Sequence, residues 1–255
     1  MLVWWFALTA CKVVDAPESL EELAVFAFVN LDERSAFVDE AADGLVNLIE
    51  SDDGQIEQGY RVDSLTSAEL ALVGVQKDLE NEVTGAAGQV RMTSSLNDVA
   101  DVVTLPDLSP VFERTLRYSV TLDEESDRRC FLDRDCNRLA QTGSRENDQP
   151  WPIGETKQDF DQLFRWGETQ DGRSVLLFRT LVPEETETSV GVVNLLQNYV
   201  LAAIWESEDG TARLEINWVD ANVAGVEIPD SFALDQVVNA MQQQAEEIDK
   251  FVGGN

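Results

Sequence analysis

Apolar residues recur along this chain with two periods. The spacing is helical (about 3.6) up to about residue 84 and strand-like (about 2) from residue 88 to about 220, then helical again. Ser19-Leu-Glu-Glu22 has the form of a capping box ahead of Leu20, Leu23, Val25 and Phe26, which predicts a helix start. Phe37, Val38, Ala41, Leu45, Leu48 and Ile49 share one face of a helix predicted over Ser35–Glu50, ended by Ser51-Asp-Asp-Gly54. Leu65, Leu70, Leu72, Val73, Val75 and Leu79 predict a third helix within 64–83, and Gly85-Ala-Ala-Gly88 breaks the pattern. Residues 19–84 therefore read as a helical N-terminal segment.

Beyond Gly88 the alternation changes. Gln89–Thr93 reads as a short strand, and Ser95-Leu-Asn-Asp98 caps a helix running to about Val103, which Pro106 terminates. Leu116, Tyr118, Val120 and Leu122 alternate with polar neighbours, the mark of a half-buried strand. Residues 123–157 are polar, contain two cysteines and Pro150-Trp-Pro152, and read as an excursion loop. Strands are predicted over 161–168, 174–182, 198–206 and 211–220, paired in hairpins by Gln170-Asp-Gly-Arg173 and Glu208-Asp-Gly210. Asp230-Ser231 then caps a long helix carrying Leu234, Val237, Val238, Met241, Ala245, Ile248 and Val252 on one stripe. The fold class this predicts is α+β: N-terminal helices, then an antiparallel sheet packed on a long C-terminal helix, the latter spanning 88–255.

Composition narrows the function classes. Forty-nine acidic residues oppose 18 basic ones, a formal net charge of -31, so no basic face is available for phosphate backbones or anionic headgroups at the surface. Lysine occurs only at Lys12, Lys77, Lys157 and Lys250, and an acidic, lysine-poor surface suits high salt, where screening relieves self-repulsion. Histidine is absent, which removes Ser-His-Asp and Cys-His nucleophile systems and nearly all catalytic zinc sites. Carboxylate chemistry, Ser-Lys dyads and oxygen-ligand metals survive this exclusion. None has a specific signature, and no cofactor is implied. With so many acids, carboxylate pairs say nothing about glycoside hydrolysis until their geometry is known.

Residues 1–11 carry the chain's most specific local pattern. Met1-Leu-Val-Trp-Trp-Phe-Ala-Leu-Thr-Ala-Cys11 is an apolar run closing in Leu8-Thr9-Ala10-Cys11, followed by a tether over 12–18. It resembles the end of a bacterial lipoprotein signal peptide, whose lipobox sets small residues before a cysteine that is acylated. That resemblance implies Cys11 as the lipidation site and a membrane anchor made of acyl chains. Because Lys12 rather than Asp follows it, the resemblance also implies sorting to the periplasmic face of a Gram-negative outer membrane. No Lys or Arg precedes Cys11, and an apolar first element with a buried thiol is the alternative. In an exported chain Cys130 and Cys136 meet an oxidising compartment and can pair as a structural disulfide. Two thiols without histidine fall short of a zinc shell, and the spacing is not Cys-x-x-Cys. Asp133, Asp135 and Asn137 have the spacing of a calcium loop, but its sixth and twelfth positions hold Arg138 and Ser144. The bland reading of that stretch is a solvated acidic loop.

The order of elements resembles the START-like, or helix-grip, superfamily over roughly 88–252. The features that carry it are the helix at Ser95–Val103 leading into Leu105-Pro-Asp107, the hairpins, and the helix from Phe232 to Val252. The resemblance implies a curved sheet gripping the last helix over a cavity for a lipid, sterol or other apolar molecule. From the strands before the last hairpin it implies Tyr118, Val120 and Phe178 as cavity liners. From that hairpin it implies Tyr199, Leu201, Trp205, Leu214, Ile216 and Trp218, and from the helix Val238 and Met241. Ordinary sheet-on-helix core is the competing account of each. The expectation is a non-enzymatic, lipid-anchored envelope protein that binds or carries an apolar ligand. An envelope interaction protein with a filled core and an unknown protein partner is the alternative, and a carboxylate-based hydrolase a further one.

Overall fold

An antiparallel ten-stranded sheet carries helices on both faces. The computed structural model describes residues 16–51, 56, 59–75, 84–149, 154–190, 193–208, 210–223, 226–227 and 230–254, so Cys11 lies outside the described residues. The chain opens with helices α1 (Leu20–Asn30) and α2 (Ser35–Ser51), strand β1 (Tyr60–Val62) and helix α3 (Ser67–Leu72). Strand β2 (Thr84–Met92), helix α4 (Leu96–Val103), strand β3 (Thr115–Leu122) and helix α5 (Arg128–Leu132) follow. The rest of the sheet is β4 (Arg138–Gln149), β5 (Gly154–Glu168), β6 (Ser174–Val182), β7 (Glu187–Thr188), β8 (Val193–Ser207), β9 (Gly210–Val223) and β10 (Val226–Glu227). Helix α6 (Asp230–Gly253) ends the chain. Strand order is β1-β2-β9-β8-β6-β5-β4-β3, with β10 beside β9 and β7 beside β5.

Local chemistry explains most boundaries. Ser19 caps α1 by accepting the Glu22 amide, Thr66 and Glu69 form a full capping box at α3, and Ser95 caps α4 through the Asp98 amide. The predicted third helix is short among the described residues. It stops at Leu72 because Gly74 turns the chain with φ +83°, and β1 precedes it. The Gly85-Ala-Ala-Gly88 stretch, read as a break, is strand instead. A Cβ on Gly85 would sit 2.5 Å from Val62 Cγ2 and 2.8 Å from Trp218, so β1 and β2 pair here only because the residue is bare.

The largest correction concerns 123–157. This polar stretch is not an excursion loop: it holds α5, all of β4 and the start of β5. Cys130 is bonded to Cys136 across the turn after α5, with Cα atoms 5.3 Å apart. The turn carries Arg134 at φ +61°, its guanidinium 4.4 Å above the Trp166 ring and donating to Ser174 and Asn97. Asp133 faces Arg129 at 3.6 Å, and Asn137 donates its amide to Ser35. Among the described residues no group of three or more His, Cys, Asp or Glu side chains could hold a metal ion, and Asp133 and Asn137 are engaged by Arg129 and Ser35.

Two cores flank the sheet. On the outer face α1 and α2 bury Leu23, Phe28, Val38 and Leu45 against Tyr199, Leu201, Trp205, Leu214, Ile216 and Trp218. On the inner face α4, α5 and α6 pack on Phe160, Phe164, Phe178 and Ile204. Helix α1 has no basic residue in its last turn, and the sheet supplies the missing cations. Arg179 donates to the Phe28 carbonyl at 2.5 Å, and Arg165 donates to the Leu31 and Glu33 carbonyls at 3.0 and 2.9 Å. Burial lowers the Arg179 guanidinium to about 10, with the nearby Asp32 charge opposing the shift. Among the described residues no helix is long and apolar enough to cross a membrane.

Candidate functional site

The inner face of the sheet is far more polar than a filled core requires. Cross-strand register sets Gln141 of β4 opposite Gln162 of β5, Gln162 opposite Thr180 of β6, Thr180 opposite Val200 of β8, and Val200 opposite Asn217 of β9. Directly opposed residues share a face, so these side chains form one row across the sheet. Gln141 donates to Gln162 at 2.8 Å, Gln162 donates to Thr180 at 3.0 Å, and the Tyr118 hydroxyl donates to Gln162 at 3.2 Å. The row is incompletely satisfied: Oδ1 of Asn217, Oε1 of Gln141 and, beyond the row, Oδ1 of Asn198 are buried without a hydrogen-bond partner. Buried polar atoms are normally paired, and orphans of this kind mark a place where a water or a ligand belongs.

Two guanidinium groups stand on the same face. Arg213 of β9 forms an ion pair with Glu215, two residues along the strand, and donates to Gln244 of α6 at 3.3 Å. It also lies 5.7 Å from the centre of the Phe178 ring. Glu215 is the one buried carboxylate among the described residues, so no pair of buried acids faces one another there. Arg145 of β4 is different. Its Nε donates to Gln158 at 2.7 Å and its guanidinium lies 5.7 Å from the centre of the Phe160 ring, with no carboxylate in ion-pair reach among the described residues. Burial pulls its pKa down, while the Tyr118 and Glu215 charges oppose the shift. Glu215 is four strands from Arg145, roughly 19 Å along a flat sheet at the usual strand spacing. Glu215 is paired with Arg213 and does not neutralise Arg145.

Helix α6 closes one side of this concave face. It packs on β2, where a Cβ on Gly88 would meet Met241 Sδ at 3.0 Å, and Asp249 accepts the Thr93 and Ser94 amides at 2.8 and 2.9 Å. No protein-family model matches the chain, and no curated protein matches it. Among solved structures it is similar to the STAR-related lipid transfer protein of Xanthomonas axonopodis. That match has 16% identity and a TM-score of 0.43 over 69% of this chain and 89% of that one. The human StAR-related lipid transfer protein 5 matches at 12% identity and a TM-score of 0.42, over 85% of this chain and 95% of that one. Strand order, curvature and the seat of α6 describe the architecture without them. The fold is α+β, a large antiparallel sheet with the C-terminal helix packed on its inner face.

The face assignment divides the residues expected to line a cavity. Tyr118, Val120, Phe178 and Met241 stand on the inner face, and Val238 lies over β2 within 3.4 Å of the position a Gly88 Cβ would take. Tyr199, Leu201, Trp205, Leu214, Ile216 and Trp218 do not join them. They point to the outer face and form the floor under α1 and α2. The inner residues of that hairpin are their neighbours Asn198, Val200, Arg213, Glu215 and Asn217, whose polarity reads as a solvent face in sequence. An open depression of about 400 Å³ lies on the outer side of β3–β5, lined by Ser119, Thr121, Thr142, Asp159 and Asp161. Burial raises the Asp161 carboxyl, with Asp123 adding to the shift.

Tyr118 offers a direct probe of the inner face. Burial pushes its phenol up to about 12, against an opposing pull from Arg145. Its folded pKa lies above the unfolded value of 10, so its contribution to stability is present below pH 10 and is lost as the pH rises towards 12. Alkaline titration followed at 295 nm is expected to show a tyrosine ionising near pH 12, and Tyr118→Phe is expected to reduce the amplitude of that late phase by one tyrosine. A wild-type chain whose tyrosines all ionise near 10 would place Tyr118 in solvent.

Proposed function

We propose that this protein binds and carries an apolar or amphiphilic small molecule between its curved sheet and α6, at the cell envelope. The observation that carries this reading is the row of buried amides on the inner face whose oxygens lack partners. A protein that needed only a filled core would seat apolar side chains there, as the outer face does with Tyr199, Leu201 and Trp218. Apolar surface from Phe160, Phe164 and Phe178 lies beside the amides, so the face suits a ligand with a hydrocarbon body and a polar end. The protein acts without catalysis in this reading, holding its ligand away from water rather than transforming it.

The lipobox-like Leu8-Thr9-Ala10-Cys11 supports an anchor through an acylated Cys11, on the periplasmic face of a Gram-negative outer membrane. The bonded cysteines at 130 and 136 fit an oxidising compartment. Both parts are tested on the full chain made in a Gram-negative host. Labelling with a palmitate analogue is expected to mark the wild type and not Cys11→Ala. Native mass spectrometry of the exported protein is expected to show a lipid-sized adduct that organic extraction removes. A chain without label defeats the anchor, and a chain that is bare under all growth conditions and takes up no added lipid defeats the carrier.

A further inference from the structure

We infer that Arg145 is the recognition point for an oxyanion, a carboxylate or phosphate, at the polar end of the ligand; this rests on the carrier reading above. Arg145 stands apart by the counter-charge it lacks among the described residues. Four other guanidinium groups on the sheet are tied to fixed protein oxygens, although Nε of Arg165 and of Arg213 stays without a partner. Arg165 and Arg179 hold α1 carbonyls, Arg213 holds Glu215, and Arg138 holds Asp32 at 2.8 Å. Arg145 has an amide oxygen on Nε and an aromatic ring beneath it, which orient the fork without neutralising it. Arg145 is half-buried, so part of its surface stays open to a ligand, and desolvation holds its pKa below the ordinary guanidinium range.

A half-buried, partly desolvated cation with no carboxylate beside it is stabilised when an anion supplies the missing charge. Among the described residues no acidic side chain pairs with Arg145, which leaves that role to a ligand. Every group facing Arg145 from its neighbours is neutral or distant: Tyr118 across β3, Gln158 and Phe160 on β5, and Glu215, which is already taken by Arg213. The fork geometry of a guanidinium matches the two oxygens of a carboxylate or phosphate. The Tyr118 hydroxyl, held protonated by burial and donating to Gln162, stands beside it as a neutral group rather than a competing anion. Val120 opposite Gly143, and Phe160 next to it, offer apolar surface for the first carbons of a chain.

The test uses the full chain stripped of lipid, titrated calorimetrically with oleate, oleyl alcohol and inorganic phosphate, alongside Arg145→Gln and Arg145→Lys. Oleate is expected to bind about 10- to 100-fold more tightly than oleyl alcohol, and Arg145→Gln is expected to erase that preference while oleyl alcohol still binds. Arg145→Lys, which keeps the charge and loses the fork, is expected to retain part of the preference. Phosphate binding that depends on Arg145, without binding of either lipid, would keep the oxyanion site and defeat the carrier. Equal binding of both lipids, unchanged in Arg145→Gln, would overturn the inference and leave the carrier standing. Binding of none of the three would overturn both. Ligand-free Arg145→Gln supplies an independent readout. Its Tm is expected to equal or exceed that of the wild type, because the variant removes a partly desolvated charge that has no counter-ion. A drop of several degrees would make Arg145 a structural residue and overturn its assignment.

Discussion

Phe28→Ala is expected to destabilise the protein by about 3–5 kcal/mol, the range for truncating a fully buried aromatic. The ring is completely buried on the outer face, with its centroid 5.3 Å from that of Trp218 and 6.3 Å from that of Tyr199, both in edge-on contact. Arg179 lies 5.4 Å from the ring centre while its Nη1 holds the Phe28 carbonyl. Removal therefore opens a cavity against Trp218 and takes away the surface on which the Arg179 guanidinium rests. The measurement is urea unfolding followed by tryptophan fluorescence, since Trp218 reports directly on the contact. Leu72→Ala, at a side chain 71% exposed, is the control and is expected to change stability by less than about 0.5 kcal/mol. Equal midpoints for the two variants would mean that α1 does not dock on the sheet.

That contact also shows where sequence patterns stop being informative. Alternation along 198–206 and 211–220 correctly marks strands, and it separates Tyr199, Leu201 and Trp205 from Asn198 and Val200. It does not say which set meets which helices, because this sheet is covered on both faces. The apolar set looks inward by habit and in fact supports α1 and α2. The set Arg213, Glu215 and Asn217 looks like a solvent face and lines the concave side. Only the three-dimensional partners, Gln244 and Phe178 for Arg213, reveal it.

Polarity hid β4 for a related reason. Its residues Gln141, Gly143 and Arg145 alternate with Thr142, Ser144 and Glu146, so neither face carries an apolar signal. The strand is held by twelve register pairs with β5 and by an inner face whose amides hydrogen-bond one another. The same trait that concealed the strand makes it functionally interesting. The caps at Ser19 and Ser95 fared better, because they act through neighbours within three residues and need no tertiary information. The glycines at 85 and 88 lie between. Their bareness is required by Trp218 and Met241, partners far away in the chain, so a local reading takes them for a break.

The inner-face ion pair carries the other large expected effect. Glu215→Ala is expected to destabilise the protein by about 3–5 kcal/mol, because it leaves Arg213 buried with no counter-charge. Arg213 and Glu215 are 4% and 7% exposed, so solvent cannot replace the lost carboxylate. Gln244 remains as a neutral acceptor and Phe178 as a ring, and neither neutralises a guanidinium. Replacing both members, Arg213→Met with Glu215→Leu, is expected to return stability to within about 1–2 kcal/mol of the wild type, since breaking a buried pair is far worse than removing it. Thermal unfolding of the two single variants and the double variant decides the matter. If the double variant is as unstable as Glu215→Ala, the pair acts chiefly as a structural clamp between β9 and α6. If it recovers, packing does not require charge at this position, and the pair's place beside the unpartnered Asn217 oxygen assigns it to the ligand-facing surface.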